Sequence, residues 1–457
     1  MNYKELKNKN VSIIGAARSG SAVAELLKSR GAIVFVSERD LGEKVTAQIP
    51  YFKSLGVSYE FGQHTERVYN ADLVVISPGV PSNAPVVLEA LRRNIQVVSE
   101  LEAASWFCPS SIVGITGSNG KTTTTTLLGR MFADAGKNHV VGGNIGQAFS
   151  SLIQDITPET VTVLEVSSFQ LDHIDTFHPN VSVLLNITPD HLDRYSGSFD
   201  AYKESKGRIF LNQTQSDYLI YCYDDEQTKE LVFSKAVSYV KTLPFGIKRE
   251  FESGAYLHNG KLMTLLNGIE REVIHADEIS IRGVHNLYNS MAATLAAQVM
   301  GVNVASIRST LKNFKGVEHR LEFVREVNGV KYINDSKATN VDSVKFALMA
   351  YNNPIILFLG GRDKGNDYSL LNEEVKKHVK TIVAIGESAS KVEKAFSTQT
   401  TIAHASSMKE AVELAQSISV SGDIVLLSPA CASFDWFDNY EHRGKVFKEC
   451  VQQLKEN

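Results

Sequence analysis

The run Ile112-Val113-Gly114-Ile115 leads directly into Thr116-Gly117-Ser118-Asn119-Gly120-Lys121-Thr122-Thr123, and a Thr- and Leu-rich, helix-compatible segment follows. Apolar run, glycine turn and helix in that order describe a buried strand that ends on a phosphate-holding loop. In such a loop the backbone N–H groups of the turn and of the helix N-terminus face an anion. Lys121 can bridge β- and γ-phosphates, and the Thr122 hydroxyl can ligate Mg²⁺. ATP is therefore the expected ligand of Gly117, Ser118, Asn119, Gly120, Lys121, Thr122 and Thr123. The spacing departs from the usual G-x-x-x-x-G-K-S/T, because Ile115 occupies the first glycine position and the nearest glycines are Gly114 and Gly117. On the motif alone, a glycine-rich strand-to-helix turn with an incidental lysine is the competing reading.

Before this loop, short apolar runs alternate with helical patterns. Val11–Ile14, Ile33–Val36 and Leu73–Ile76 read as strands, and Ala22–Lys28 and Pro85–Arg93 as helices. That alternation predicts a parallel sheet. The first strand ends in Gly15-Ala16-Ala17-Arg18-Ser19-Gly20, a G-x-G-x-x-G pattern with Ala17 at the second glycine. A Cβ there crowds a closely approaching pyrophosphate, so some other nucleotide-bearing ligand is favoured over a dinucleotide. The second strand ends in Ser37-Glu38-Arg39, where Glu38 suits a ribose hydroxyl and Arg39 a phosphate. A doubly wound domain whose loop touches no ligand remains open at this point.

Beyond the phosphate loop, Val161–Val166 and Val181–Asn186 read as buried strands, with Glu165-Val166-Ser167-Ser168 and Asn186-Ile187-Thr188-Pro189-Asp190-His191 at their ends. Ligands of open α/β sheets bind at those ends, so both segments are expected beside Lys121. Residues 216–278 are more polar and predict a strand-rich edge, with Tyr218–Tyr221 and Ile279–Arg282 as short strands. A third βα series uses Lys331–Ile333, Ile355–Leu359, Thr381–Ile385 and Ile424–Leu427 as strands. Their ends carry Asn334–Asn340, Gly360–Gly365 and Ser428–Asp435, a second ligand edge. With 457 residues, about three domains are expected. We divide the α/β chain into a Rossmann-like domain at 1–99, a central mostly parallel P-loop ATPase-type domain at 100–316 and a Rossmann-like C-terminal domain at 317–457.

A net charge of −4 with acids and bases intermixed leaves no polybasic footprint, so small molecules rather than nucleic acid are the expected partners. Cys108, Cys222, Cys431 and Cys450 lack metal-like spacing and suit reduced thiols in the cytoplasm. No stretch approaches the roughly 18 apolar residues of a membrane span, and a monomer away from membranes is expected.

Several side chains carry candidate chemistry. Glu165 suits Mg²⁺, which takes oxygen ligands, though a capping glutamate has the same sequence. His191 alone is as readily a structural histidine. Lys206 reads by composition as a solvated helix lysine with a pKa of about 10.4. Asn286 and Asn289, three apart, share a helix face and can read an adenine edge or cap the helix. His319-Arg320 follows Lys315-Gly316-Val317, as expected of a hinge bringing a cation to phosphate or of an ordinary surface arginine.

Taken in order, Thr116–Thr122, Glu165–Leu171, Asn186–Arg194, Gly283–Asn286, His319-Arg320 and Asn334–Asn340 resemble the Mur ligases, ATP-dependent amide ligases of peptidoglycan precursor synthesis, across nearly the whole chain. Gly142–Gly146, Asp335–Asn340 and Ser428–Asp435 look most like the branch that adds D-glutamate to UDP-N-acetylmuramoyl-L-alanine. The Asp-Asn-Pro-Arg motif of the diamino-acid-adding branch is absent from the sequence. The resemblance implies an acyl-phosphate route with Lys121, Glu165, His191, Lys206 and Arg320 at the reaction. It implies two Mg²⁺ sites, one at Thr122 and Glu165 and one at His191 and a carbamylated Lys206. Asn286, Asn289, Arg320 and Asp335 then fall to ATP, towards which the third domain is expected to close. Lys337, Thr339, Lys364, Ser433, Phe434 and Tyr440 fall to D-glutamate. The UDP-bearing substrate takes Arg18, Ser19, Ser37, Glu38, Arg39 and Gly79, with Asn144 and His191 towards the muramoyl end. A related folylpolyglutamate synthetase, an NAD(P)-dependent oxidoreductase built on Gly15–Gly20 and a non-catalytic ATP-binding regulator are the alternatives. The first has no use for a UDP-binding domain at 1–99, and the second leaves the Lys121 loop unexplained.

Overall fold

The computed structural model describes residues 6–235, 239–363 and 365–456. Its chain divides into two compact units, 1–278 with 288–312 and 279–287 with 313–457.

The first unit holds two sheets. One is all parallel, in the spatial order Ser58–Phe61, Ile33–Glu38, Asn10–Ile14, Leu73–Ile76, Gln96–Ser99. Strand Leu73–Ile76 is buried throughout, as a strand covered by helices on both faces must be. Strand order reverses between Asn10–Ile14 and Leu73–Ile76, so the loops after them, Gly15–Gly20 and Ser77–Val80, part to form a crevice. Gly15 sits at φ 98° and the helix Arg18–Ser29 lies against it. A Cβ on Gly20 would stand 1.8 Å from the Gly15 carbonyl oxygen. The third glycine of the pattern is thus required for helix-to-strand packing.

The other sheet of this unit runs Ile269–His275, Lys261–Leu266, Gly254–His258, Lys241–Gly246, Tyr218–Cys222, Val181–Leu184, Ser111–Thr116, Val161–Glu165, His139–Gly143. It is parallel except at its far edge, where Gly254–His258, Lys261–Leu266 and Ile269–His275 form an antiparallel meander. The strand Ser111–Thr116 lies between two strands that come later in sequence. Ile115 pairs with Glu165 and Thr116 with Leu184.

The second unit carries six strands in the order Glu322–Val327, Val330–Asn334, Ile424–Leu427, Ile355–Gly360, Val379–Ile385, Thr401–His404. Only the first pair is antiparallel. Both faces are covered: Ile355, Leu357 and Leu359 point into one apolar cluster and Ile356 and Phe358 into the other, the alternation of a strand buried on both sides. The expected strand at Ile279–Arg282 is absent. Ile279 is buried and the Ser280 hydroxyl donates to the Phe314 carbonyl, so this run is spent on packing a connector before Gly283 turns at φ 95°.

Replacing Gly20 by Ala sets a Cβ against backbone that has no rotamer to escape by, and is expected to cost about 1–3 kcal/mol. A lowered urea midpoint checks this, with Gly79→Ala as the control, since a Cβ there meets nothing within 4 Å.

Candidate functional site

The paired register of Ile115, Glu165 and Leu184 brings three strand ends to the phosphate loop. Gly120 takes φ 84° as the cap of helix Lys121–Asp134, a conformation that favours glycine. Asn186 clasps the loop from the neighbouring strand end. Its carbonyl accepts from the Ser118 N–H at 2.8 Å, its Oδ1 from the Asn119 N–H at 2.8 Å, and its Nδ2 donates to the Asn119 carbonyl at 3.1 Å. The Ser118 hydroxyl donates to the Thr188 carbonyl at 2.9 Å and lies 3.0 Å from the Tyr202 hydroxyl. Asn289 accepts from the Thr124 hydroxyl at 3.3 Å and lies so near Gly120 that a Cβ there would stand 2.2 Å from its Oδ1. Thr123 is buried in the first helical turn.

Two lysines reach the same carbonyl. Lys121 Nζ donates to Gly117 O at 2.7 Å and to Ser118 O at 2.9 Å, and Lys206 Nζ donates to Gly117 O at 2.8 Å. Lys206 is 1% exposed, the opposite of the solvated lysine its composition suggests. It lies on helix Phe199–Gly207 with its ammonium 4.6 Å from the Tyr202 ring centroid. Burial, and after it the Lys121 charge, holds its amine well below the usual lysine range.

Glu165 is 2% exposed. One carboxylate oxygen accepts from the Thr122 hydroxyl at 2.7 Å and the other from the Asn144 amide at 2.8 Å. A carboxyl group beside a threonine hydroxyl is an all-oxygen donor pair, the kind a hard divalent cation takes. His191 stands on the exposed rim at φ 51° and ψ 31°, a left-handed geometry that costs a non-glycine residue about 1 kcal/mol or more. Its ring meets Phe169 edge-on at 5.2 Å.

The crevice of the first sheet opens into a cavity of about 1290 Å³ whose wall includes Arg18, Ser19, Glu38, Arg39, Gly79 and Asn144. Ser37 does not line it; it is fully buried, with its hydroxyl donating to Glu60 at 2.6 Å and 2.7 Å from His64 Nδ1. Glu38 turns its carboxylate back to the loop, accepting from the Ala16 and Asp40 N–H groups at 2.8 Å each. Sequence reasoning missed Asp40, His64, Tyr69 and Asn83 on this wall. His64 follows the short edge strand Ser58–Phe61, where Tyr59 and Phe61 alternate with Ser58 and Glu60 over only four residues, a signal that could have found it.

In the second unit Asp335 is 6% exposed. Its carboxyl accepts from the Ser428 hydroxyl at 2.8 Å and the Leu321 N–H at 3.3 Å. Burial pushes its pKa up to about 7, against the opposing pull of Ser428 and Arg320. Arg320 Nε is buried and has no hydrogen-bond partner among the described residues, a donor in want of an acceptor. His319, at φ 64°, is buried and bonded at 2.9 Å to Asn334, so it belongs to the packing of this unit. Asn286 donates to the Arg282 carbonyl at 2.8 Å at the start of helix Val284–Val299. Lys337 holds its ammonium 5.0 Å from the Tyr440 ring centroid. Ser433 is buried and Phe434 exposed, Thr339 lies in the turn before helix Val341–Met349, and Lys364 falls outside the described residues.

A residue unremarked in the sequence frames these positions. Arg443, 1% exposed, donates to the Ser336 hydroxyl and carbonyl at 2.9 and 2.7 Å and to the Cys431 carbonyl at 3.1 Å. It ties Asn334–Asn340 to Ser428–Asp435. Burial draws its pKa down to about 10.

Three family models match the chain: a Mur ligase MurD-like N-terminal domain over residues 9–99, a Mur ligase middle domain over 115–297 and a Mur ligase, glutamate ligase domain over 319–431. A UDP-N-acetylmuramoylalanine--D-glutamate ligase of Chloroherpeton thalassium is 47% identical, covering 99% of this chain and 100% of its own. One of Salinibacter ruber is 46% identical over the same shares. Among solved structures, a pseudomurein peptide ligase type C from Methanothermus fervidus superposes with a TM-score of 0.61 at 22% identity, over 98% of this chain and 100% of that one. Escherichia coli FolC with DHPP and ADP gives 0.57 at 15% identity over 77% of this chain and 92% of that one. At those identities the likeness is one of fold.

Asp335 makes a pH signature. Its folded pKa of about 7 lies above the ordinary 3.8, so the stability it contributes is present below pH 4 and is lost as pH rises through 7. The urea midpoint of the wild type, relative to Asp335→Asn, is expected to fall between pH 5 and pH 8. A flat difference would contradict the raised value.

Proposed function

The chain belongs to the Mur ligase family, and on that premise we propose that it joins D-glutamate to UDP-N-acetylmuramoyl-L-alanine with ATP, as its relatives of known name do. The substrate carboxylate takes the γ-phosphoryl group of ATP, releasing ADP. The amine of D-glutamate then attacks the acyl carbon, forming the amide and releasing phosphate. Carboxylate and γ-phosphate are both anionic, so the protein's task is to neutralise charge while holding the two in line.

The observation that carries this reading is the convergence of Lys121, Lys206, Thr122 and Glu165 on one loop, beside a cavity of nucleotide size that shares Asn144 with it. We assign the domains to 1–99, 100–316 and 317–457. Gly117–Thr123, Asn286, Asn289, Arg320 and Asp335 are assigned to ATP, with the orphaned Arg320 Nε taking a phosphate oxygen. Arg18, Ser19, Glu38, Arg39 and Gly79 are assigned to the UDP part, Ser37 acting through His64, and Asn144 and His191 to the muramoyl end. Lys337, Thr339, Lys364, Ser433, Phe434 and Tyr440 are assigned to D-glutamate, a dicarboxylate that suits cations and hydroxyl donors. Thr122 and Glu165 would hold one Mg²⁺, and His191 with Lys206 a second; the ions supply positive charge to the phosphates.

An ammonium at Lys206 repels a cation, whereas a carbamate supplies anionic oxygens. Carbamate forms from the neutral amine, and burial favours that form here. The first sheet and its crevice are unused by a folate substrate, and the Lys121 loop is unused by a nicotinamide enzyme, so neither alternative is preferred. A regulator that only binds ATP leaves the buried Lys206 without a role. We place the reaction in the cytoplasm, with a monomeric enzyme. Among the described residues no helix is long and apolar enough to cross a membrane.

Phosphate release from ATP with UDP-N-acetylmuramoyl-L-alanine is expected to depend on D-glutamate and not on L-glutamate, with the amide product seen by mass. Activity only with a folate and L-glutamate would move the chain to that alternative. Lys121→Ala is expected to lower turnover about 10²–10³-fold, the usual scale for a lost charge-stabilising donor. ¹³C-bicarbonate is expected to give a carbamate resonance in the wild type that is missing from Lys206→Arg; a wild-type spectrum without it removes the assignment.

A further inference from the structure

Arg194 has no role in the reaction as assigned, yet it links the rim of the phosphate loop to the wall of the cavity. It lies in the 3-10 turn Leu192–Tyr195 that His191 caps, and its N–H donates to the His191 carbonyl at 3.0 Å. Its guanidinium crosses to the other sheet of the same unit. There it donates to the carbonyls of Pro78 at 3.3 Å, Gly79 at 3.5 Å and Val80 at 3.1 Å, three residues of the cavity wall. On its way it lies over the Phe169 ring, 4.1 Å from the centroid. Phe169 stands four residues beyond Glu165; the same ring meets His191 edge-on at 5.2 Å and stacks with Tyr195 at 6.1 Å. One side chain therefore touches the crevice turn and the Phe169 ring, and its own backbone holds the His191 turn.

We infer that Arg194 is a positioning residue that sets the separation between the cavity for the nucleotide part of the substrate and the loop where its carboxylate reacts. The inference rests on the function proposed above. A planar guanidinium spans several carbonyls at fixed angles and lies flat on an aromatic ring, whereas an ammonium is a single point on a flexible stem. Burial draws the Arg194 pKa down, but a guanidinium starts so far above neutral that it keeps its charge there, so the clamp does not switch off near neutral pH. Because the two anchor points lie on different sheets, interactions made by the nucleotide become usable at the distant carboxylate only while the link holds. That is how binding energy from a non-reacting part of a substrate is turned into rate.

The test compares wild type, Arg194→Ala and Arg194→Lys with two acceptors, UDP-N-acetylmuramoyl-L-alanine and N-acetylmuramoyl-L-alanine without the nucleotide. UDP affinity is measured by calorimetry. In Arg194→Ala, kcat/KM for the full substrate is expected to fall about 100-fold, the scale of a misplacement near 1 Å. The value for the nucleotide-free acceptor is expected to change less than about threefold, and the Kd for UDP to rise about fivefold as the Pro78–Val80 turn loosens. Arg194→Lys, which keeps charge without the fork, is expected to follow Ala. Equal losses on both acceptors with a lowered Tm would make Arg194 a merely structural clamp, and full rescue by Lys would remove the role of the fork. Either result overturns the inference. Where the nucleotide-free acceptor turns over too slowly to follow, UDP affinity decides. A wild type that binds no UDP takes down the proposed function and the inference with it; a wild type that binds UDP, with variants that bind it equally well, takes down the inference alone.

Discussion

The pairing of strand Ser111–Thr116 with two strands at once is the constraint on which the first unit's chemistry depends. Parallel strands end their carbonyls at one edge of a sheet. Here the register sets Ile115 opposite Glu165 and Thr116 opposite Leu184. The chain therefore leaves the sheet at three adjacent points. Gly117, Val166 and Leu185 begin their loops side by side, and the Val166 and Leu185 N–H groups still bond back to Ile115 and Thr116. A slip of one residue would turn Glu165 to the other face of the sheet, because side chains alternate along a strand. The next strand along continues the row, since Gly143 pairs with Glu165. Asn144, one residue on, then reaches the Glu165 carboxylate.

Electrostatics builds on that frame. The Gly117 carbonyl receives two ammonium groups, one from the helix that follows it and one from a helix far along the chain. Two cations at one oxygen repel, and the buried one yields. Lys206 thereby becomes an amine held well below the usual lysine range, by burial first and by the Lys121 charge after it. Asp335 shows the mirror case in the second unit. Burial holds a carboxyl there well above the ordinary carboxylate range, against the pull of its hydroxyl and N–H donors and of a nearby arginine.

Much of this was legible in sequence, and for a common reason. The phosphate loop, Glu165 and the Asn186–His191 segment each follow directly on an apolar run, so the run announces the strand and the strand end announces the site. The edge strands missed were Ser58–Phe61, Gln96–Ser99, His139–Gly143, Glu322–Val327 and Thr401–His404, and within the strand-rich stretch expected at 216–278 the strands after Tyr218–Cys222 were not placed one by one. An edge strand has one paired side and a half-exposed face, so it need not be apolar and leaves little pattern. Ile279–Arg282 failed in the other direction, because an apolar residue in a packed connector looks like part of a strand. Arg443 carried no signal, and Arg194, although it ends the Asn186–Arg194 segment, gave none of its contacts: both arginines donate to backbone carbonyls, an acceptor that every residue has.

The sequence by itself determined the order of strands, turns and helices, the parallel sheets and the kinds of donor at each strand end, because these follow from neighbours a few residues apart. Only the tertiary structure decided which donors share a site and in which protonation state. Lys206 and Gly117 are 89 residues apart, and the Arg194 guanidinium lies more than 110 residues from each of the carbonyls it bonds. The protonation of an amine or carboxyl depends on the water it loses and the charges it gains when such distant segments pack together. No local pattern contains that information, since one helix lysine is written the same way in solvent and beneath a phosphate loop.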